Sequence, residues 1–466
     1  MKKLILTLTV LCCLGNAGIL RAQQLPQALN ERLQATFDSL CIKYGIKGAS
    51  AAVLIPGAGI WKSAYGQSHE GVPVTTDMMM GMGSNTKIHI SAALLKMQEQ
   101  GLLSLDDSIG RWIRGYPNIS GKITIRQCLN HTSGLADYLQ NSAVNDSIFG
   151  NPDKVWDSAE ILWLAKEPTF PAGTSWGYSN TNYIIGGIII RDVLNKPFEQ
   201  AIREMLLDPI GLVNTMFYGE QTTQPVAHQW SSVLTGSYMQ DLNTAPVPLV
   251  RNLFSLASSA GAMITTAEDN VIFWNKLISG QIINTASLGQ LLDFLLISRT
   301  NYVGYGLGVF RYRNYMNGHT IYTHGGTFYG FINDNMVDSV NGTTISVLTN
   351  QDSIDNDIIL TRFVRLLHRE TVRMPVTGIA EKVSANTAVR VYPNPAADKI
   401  TIAVEHTNEA QLFTITDLTG REHSNGTLTG TETTADVQAI PAGLYLVCLK
   451  NGSGQVIRSG KLMIAH

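Results

Sequence analysis

The chain has 466 residues, a formal net charge of −2, 44% hydrophobic residues and 15% charged ones. That length suggests two or three domains, and the composition excludes a mainly disordered chain. With no long basic run and a charge near zero, nucleic acid is excluded as a partner.

At the N-terminus, Lys2 and Lys3 precede an apolar stretch from Leu4 to Leu11, extended by Cys12, Cys13 and Leu14. Arg21 interrupts the run before it can span a bilayer, so residues 1–22 read as a signal peptide cleaved near Ala22. An uncleaved anchor is the alternative; after cleavage no stable transmembrane segment is expected. Cys41, Cys128 and Cys448 then remain, too few and too scattered for a disulfide framework. No Cys/His cluster has zinc spacing and no HExxH helix occurs, so neither a metal nor another cofactor is expected.

Residues 23–371 alternate helical patterns with Gly-bounded apolar runs. One predicted helix begins near Ser84 and runs to Gln100, where Gly101 can end it in a left-handed conformation. Its start, Gly83-Ser84-Asn85-Thr86-Lys87, puts a hydroxyl and an amine three residues apart on one helical face. A serine needs a base beside it to attack at neutral pH, and a lysine is a base only if burial or a nearby cation depresses its pKa. Alone, this motif also fits a helix cap followed by a solvated lysine.

Two later stretches give it context. Tyr178-Ser179-Asn180 precedes a second apolar helix. Its phenol, held partly as phenolate by a lysine ammonium, could take and return the serine proton. Asn180 could orient either a substrate carbonyl or the lysine. Further on come His324-Gly325-Gly326 and Thr327, where the glycines would let a substrate backbone approach a strand edge. The backbone N–H groups of Ser84 and Thr327 could form an oxyanion hole. His131 reads as a turn-stabilising residue and His89 as a buried one. Asp106 and Asp107 read as loop caps. Tyr138, Trp176 and Phe328 fit either a cleft lining or plain packing.

A breaker-rich linker is expected at 372–388. Residues 389–466 then alternate in the manner of strands, with Ile400, Ile402 and Val404 on one side and turns at Asp417-Leu418-Thr419-Gly420 and Pro441-Ala442-Gly443. This is a small all-β sandwich.

Taken in order, the Ser84–Lys87, Tyr178–Asn180 and His324–Gly326 elements resemble the serine β-lactamase and penicillin-binding protein superfamily. Leu129 to Leu135, Phe170 to Gly173, Ser259 to Asp269 and Tyr305 to Gly308 are similar to its branch of class C β-lactamases, D-alanyl-D-alanine carboxypeptidases and esterases. The likeness runs from about Leu33 to Leu367. It implies an α+β fold, an antiparallel sheet flanked by helices plus a mainly helical subdomain, with the site in the cleft between. It also implies that Ser84 forms an acyl-enzyme, that Lys87 and Tyr178 move protons, and that Asn180, His324, Gly325, Gly326 and Thr327 bind substrate. The substrate would be an amide or ester: a D-amino-acid peptide, an ester or a β-lactam-like compound. A catalytically idle protein that recognises peptide or cell-wall fragments is the alternative. Where many relatives have lysine, this chain has His324, which near its reference pKa of about 6.5 predicts weak β-lactamase activity and a preference of carboxylate-bearing substrates for mildly acidic pH.

The tail, from Tyr392-Pro393-Asn394-Pro395 to Lys461-Leu462, resembles the type IX secretion sorting domain of Bacteroidetes. It implies the type IX machinery as partner, passage through the periplasm, and a secreted or outer-membrane surface location.

Overall fold

The computed structural model describes residues 25–465 apart from Thr223, 233–237, 245–248, 298–303, 314–318, 353–355, 373–389, 405–411, 418–421 and 453–455. The expected leader, nearly all of the expected linker, and Leu418, Thr419 and Gly420 of one expected turn lie outside the described residues. The chain divides into two compact units at Met374 and Pro375.

The first unit is built on a nine-stranded sheet whose pairings are antiparallel. Its strands are β1 (Gly48–Ile55), β2 (Gly59–His69), β3 (Val72–Pro73), β4 (Gly304–Tyr305), β5 (Phe310–Tyr312), β6 (Ile321–Thr323), β7 (Gly326–Phe328), β8 (Phe331–Asp338) and β9 (Thr344–Thr349). The spatial order is β3-β2-β1-β9-β8-β6-β5-β4, and β7 continues the line of β6 along β8. Small residues in the central strand β1 (Ala49, Ser50, Ala51, Ala52) are all buried, so helices come close on both faces. On one face, Leu33 and Phe37 of α1 (Gln27–Lys43) and Phe363 and Leu367 of α6 (Asn356–Val372) pack with Ala49, Ala51 and Val347.

The other face carries α2 (Lys87–Glu99), α3 (Thr181–Leu194), α4 (Val250–Gly261) and α5 (Ala267–Ile278), in a core that includes Ala52 and Leu348. Every residue from Lys87 to Leu95 is buried, the mark of a helix surrounded by others. Each apolar side chain of Leu or Ile size there contributes about 1.5–3 kcal/mol on burial. Gly101 follows α2 at φ +71°, as its position predicts. Gly186 and Gly187 let α3 close on its neighbours: a Cβ on the first would lie 2.8 Å from Ile90, and on the second 2.3 Å from the Ser259 hydroxyl.

The second unit is all-β. Arg390–Tyr392 (β10), Lys399–Ala403 (β11) and Glu432–Asp436 (β14) form one sheet. Leu412–Asp417 (β12), Glu422–Thr427 (β13), Gly443–Lys450 (β15) and Val456–Ile464 (β16) form the other. Ile400 and Ile402 from the first and Phe413, Ile415, Val447 and Leu449 from the second share one core, with Val404 buried beside them. The α+β first unit followed by a small β sandwich is the architecture expected above. Among the described residues no helix is long and apolar enough to cross a membrane.

Candidate active site

Ser84 sits in a 3-10 turn, Gly83–Thr86, that runs directly into α2 at Lys87. Gly83 takes φ +48°, and a Cβ there would fall 2.7 Å from the Thr327 carbonyl oxygen and 3.0 Å from the Thr327 nitrogen. The Ser84 turn and β7 therefore meet backbone to backbone. Gly326 is more constrained still, because its Cβ would lie 1.8 Å from the Met82 carbonyl oxygen and 2.7 Å from Asn333 Nδ2. This revises the expectation for that glycine: the nucleophile turn, rather than a substrate strand, occupies the space a side chain would need. Gly326→Ala should cost about 1–3 kcal/mol by overpacking and displace Ser84. We expect a lower midpoint in denaturant unfolding together with lost labelling by a serine-directed probe; full labelling at wild-type stability contradicts the close approach.

Lys87 is wholly buried and makes three contacts. Its Nζ lies 3.0 Å from Ser84 Oγ, 2.7 Å from Asn180 Oδ1 and 2.8 Å from the Ala260 carbonyl oxygen. Burial pushes its amine down to about 7, with Asp137 working in the opposite direction. A neutral amine has two N–H bonds and one lone pair. Asn180 and Ala260 offer only acceptors, so they take the two N–H bonds and the lone pair faces the Ser84 hydroxyl. Ala260 lies in the last turn of α4, where carbonyls lack helical partners. The helix kinks two residues earlier at Ser258, held at φ 41°, ψ −136°, a conformation rare outside glycine and frequent at functional sites.

Asn180, just before α3, accepts from Lys87 through Oδ1 and donates through Nδ2 to Asp137 Oδ2 at 2.8 Å. Its amide is thereby oriented, and one Nδ2 hydrogen remains for a substrate. The Tyr178 hydroxyl is buried without a hydrogen bond of normal geometry. Ser84 is nonetheless close enough to act on it, and Lys87 Nζ stands 5.1 Å from its ring centroid. Burial raises the phenol well above its usual range, outweighing the Ser84 hydroxyl. Burial thus works against the lysine-stabilised phenolate expected from the sequence. Catalytic hydrogen bonds in unliganded sites are often long and tighten with substrate.

His324 is buried between β6 and β7, and Tyr178, Tyr305 and Phe310 surround its ring. Its Nδ1 lies 2.6 Å from the Gly325 carbonyl oxygen, which can only accept, so Nδ1 carries the proton. Its Nε2 faces the Tyr305 hydroxyl at 3.4 Å, and that hydroxyl lies 3.1 Å from His131 Nε2. His131 Nδ1 accepts from the Ser179 N–H at 3.2 Å, so its proton is on Nε2. One direction of donation therefore runs from Ser179 through His131 and Tyr305 to His324 and Gly325. Burial, reinforced by Lys87, pushes His324 down to about 3. The ring stays neutral at ordinary pH, and the expected mildly acidic preference loses its physical basis. His131, in a turn at φ 61°, has the hydrogen-bonding role expected of it.

Two cavities meet at Ser84. One, of about 210 Å³, is lined by Tyr138, Leu253, Leu256, Ala257 and Phe328; the other, of about 250 Å³, by Tyr178, Phe310, Tyr312, His324 and Asp334. Neither is lined by a lysine or arginine among the described residues. Tyr138 lines the first while donating to the Leu256 carbonyl at 2.7 Å. Trp176 instead packs edge-on against His131 and Tyr305. A wider depression of about 1080 Å³ beside Trp156, Arg191 and Glu220 includes none of the Ser84 cluster, so its size carries no catalytic argument. His89 is buried against Phe273 with ring centroids 3.7 Å apart. Asp107 caps its turn through the Ser104 N–H, while Asp106 pairs with Arg126 instead. Sequence reasoning missed Asp137, the Ala260 carbonyl and the linking role of Tyr305.

Comparison with known proteins gives the family of each unit. The family model described as Beta-lactamase matches residues 25–369, and that described as Secretion system C-terminal sorting domain matches 390–465. Penicillin-binding protein 4* of Bacillus subtilis (strain 168) is 28% identical over 208 residues, 42% of this chain and 43% of that protein. The chain spans about half the length of the curated relatives it matches. A D-stereospecific amidohydrolase from Streptomyces sp. superposes with a TM-score of 0.62 at 26% identity, over 72% of this chain and 97% of its own. The D-amino acid amidase of Ochrobactrum anthropi SV3 gives 0.62 at 25% identity, over 74% and 98%. The sorting domain indicates export and a cell-surface or secreted location. The chain belongs to the beta-lactamase family, a serine hydrolase fold joined here to a type IX secretion C-terminal sorting domain.

Proposed function

We propose that this chain is an acyl-transferring serine hydrolase that cleaves amides or esters of D-amino acids lacking a carboxylate beside the scissile bond. Neutral Lys87 takes the Ser84 proton as Oγ bonds to the substrate carbonyl carbon. The Ser84 and Thr327 backbone N–H groups receive the developing oxyanion. The bond to the leaving group then breaks, with its proton supplied by Tyr178 and replaced from the Lys87 ammonium. Water repeats the sequence on the acyl-enzyme, and Ser84 recovers its hydrogen.

The apolar cavity beside Ser84, together with a buried His324 where many relatives have lysine, carries the substrate reading. A penicillin or a D-alanyl-D-alanine terminus brings a carboxylate that a lysine in the third motif would hold, whereas His324 is neutral. The apolar cavity with Leu253, Leu256 and Phe328 suits an aliphatic or aromatic side chain. The two similar solved structures, a D-stereospecific amidohydrolase and a D-amino acid amidase, agree with this class. Delivery through the periplasm and the type IX machinery would direct the activity to external compounds.

A panel of D-phenylalanine amide, its methyl ester, a D-alanyl-D-alanine peptide and a penicillin tests the reading. We expect kcat/KM for the amide or ester to exceed that for either carboxylate-bearing compound by about 10²-fold, the scale of a lost charge-assisted contact of roughly 3 kcal/mol. Preference for the peptide or the penicillin at pH 7 overturns it.

A further inference from the structure

Asp338 ends β8 far from the nucleophile. Asn333 pairs with Gly326 and Asp338 pairs with Ile321, roughly 17 Å further along the strand. The Asp338 carboxylate is fully buried, as is His368 on α6, while His319, just ahead of β6, keeps 20% of its side chain exposed. Nδ1 of His319 and Nε2 of His368 aim at the same atom, Asp338 Oδ2, at 2.6 and 2.9 Å. All three donor atoms lie within 4.8 Å of one another. The second carboxylate oxygen is held by the Val340 N–H at 2.9 Å, which fixes its plane.

Two imidazole nitrogens and one carboxylate oxygen, from three separate segments, form a donor set suited to zinc and similar divalent ions. The Val340 N–H supplies the kind of outer contact that orients a ligating carboxylate. A tetrahedral ion with bonds of about 2.0–2.1 Å separates its donors by about 3.3 Å. The two nitrogen–oxygen separations, 2.6 and 2.9 Å, would each open by roughly half an ångström to reach that spacing.

We propose that His319, Asp338 and His368 form a structural zinc-class site, with water completing the coordination on the exposed side of His319. The ion would fasten the last turns of α6 to the sheet, and it takes no part in the chemistry at Ser84.

The test uses the intact chain, stripped with EDTA, dialysed, and titrated with zinc chloride. We expect about one equivalent bound and a rise in Tm of about 3 °C or more at saturating metal. Cobalt(II) in place of zinc should give the visible absorption of a tetrahedral nitrogen–oxygen site. His319→Ala, at the surface, should fold and keep its hydrolytic rate while losing the metal, the Tm shift and the cobalt spectrum. His368→Asn should lose the same three. Equal zinc uptake and Tm shift in wild type and His319→Ala overturns the proposal, as does a wild-type Tm indifferent to zinc.

Discussion

Ser84→Ala should reduce turnover of the best substrate by roughly 10⁴-fold or more while leaving the fold and substrate binding intact. Removing the attacking atom of a nucleophile–base pair removes the whole unit, so losses of about 10⁴–10⁶ are the expected scale. Stability should change little, because the hydroxyl is only partly buried and its hydrogen bond is to Lys87. Mass spectrometry after incubation with a fluorophosphonate and, separately, a fluorescent penicillin supplies the second readout. Wild-type chain should carry one adduct, on Ser84, from the fluorophosphonate at least; the variant should carry none. An unmodified wild-type chain that still binds peptide would instead support a catalytically idle recognition protein. Undiminished turnover in the variant would remove the acyl-enzyme altogether.

The proposed catalytic pair was legible because both members lie on one stretch of chain. Three residues along a helix start put Ser84 and Lys87 on one face, and the structure changes only the detail, a 3-10 turn leading into α2. The sandwich strands were legible for a similar reason, since Ile400, Ile402 and Val404 alternate toward one core. Joining Tyr178 and His324 to the pair required resemblance, because no local periodicity connects residues so distant. What stayed hidden is what tertiary packing decides. The Ala260 carbonyl has no side-chain signature, and its direction depends on the kink at Ser258. Asp137 reaches the lysine only through Asn180. Burial, which a sequence does not display, pushes His324 down and Tyr178 up, whereas the sequence reading used a reference pKa for the first and a neighbouring ammonium for the second.

The largest pH effect should come from Lys87. If its neutral form is the base, kcat/KM must follow the deprotonated fraction of an amine whose pKa burial has brought to about 7. The sign is fixed: protonation removes the lone pair facing Ser84, so activity falls on the acidic side. Between about pH 6 and pH 8 the neutral fraction of such a group rises about tenfold, and kcat/KM should rise with it before levelling. His324 adds no limb in this window because its ring is already neutral. Lys87→Arg separates a base from a mere positive charge. Arginine keeps a cation near Ser84 but cannot deprotonate, so its kcat should fall by roughly 10³-fold or more, close to the loss in Lys87→Met. A variant arginine enzyme with a tenth or more of the wild-type rate, or a profile flat across that window, would mean that Lys87 acts through its charge and that the Ser84 proton leaves by another route.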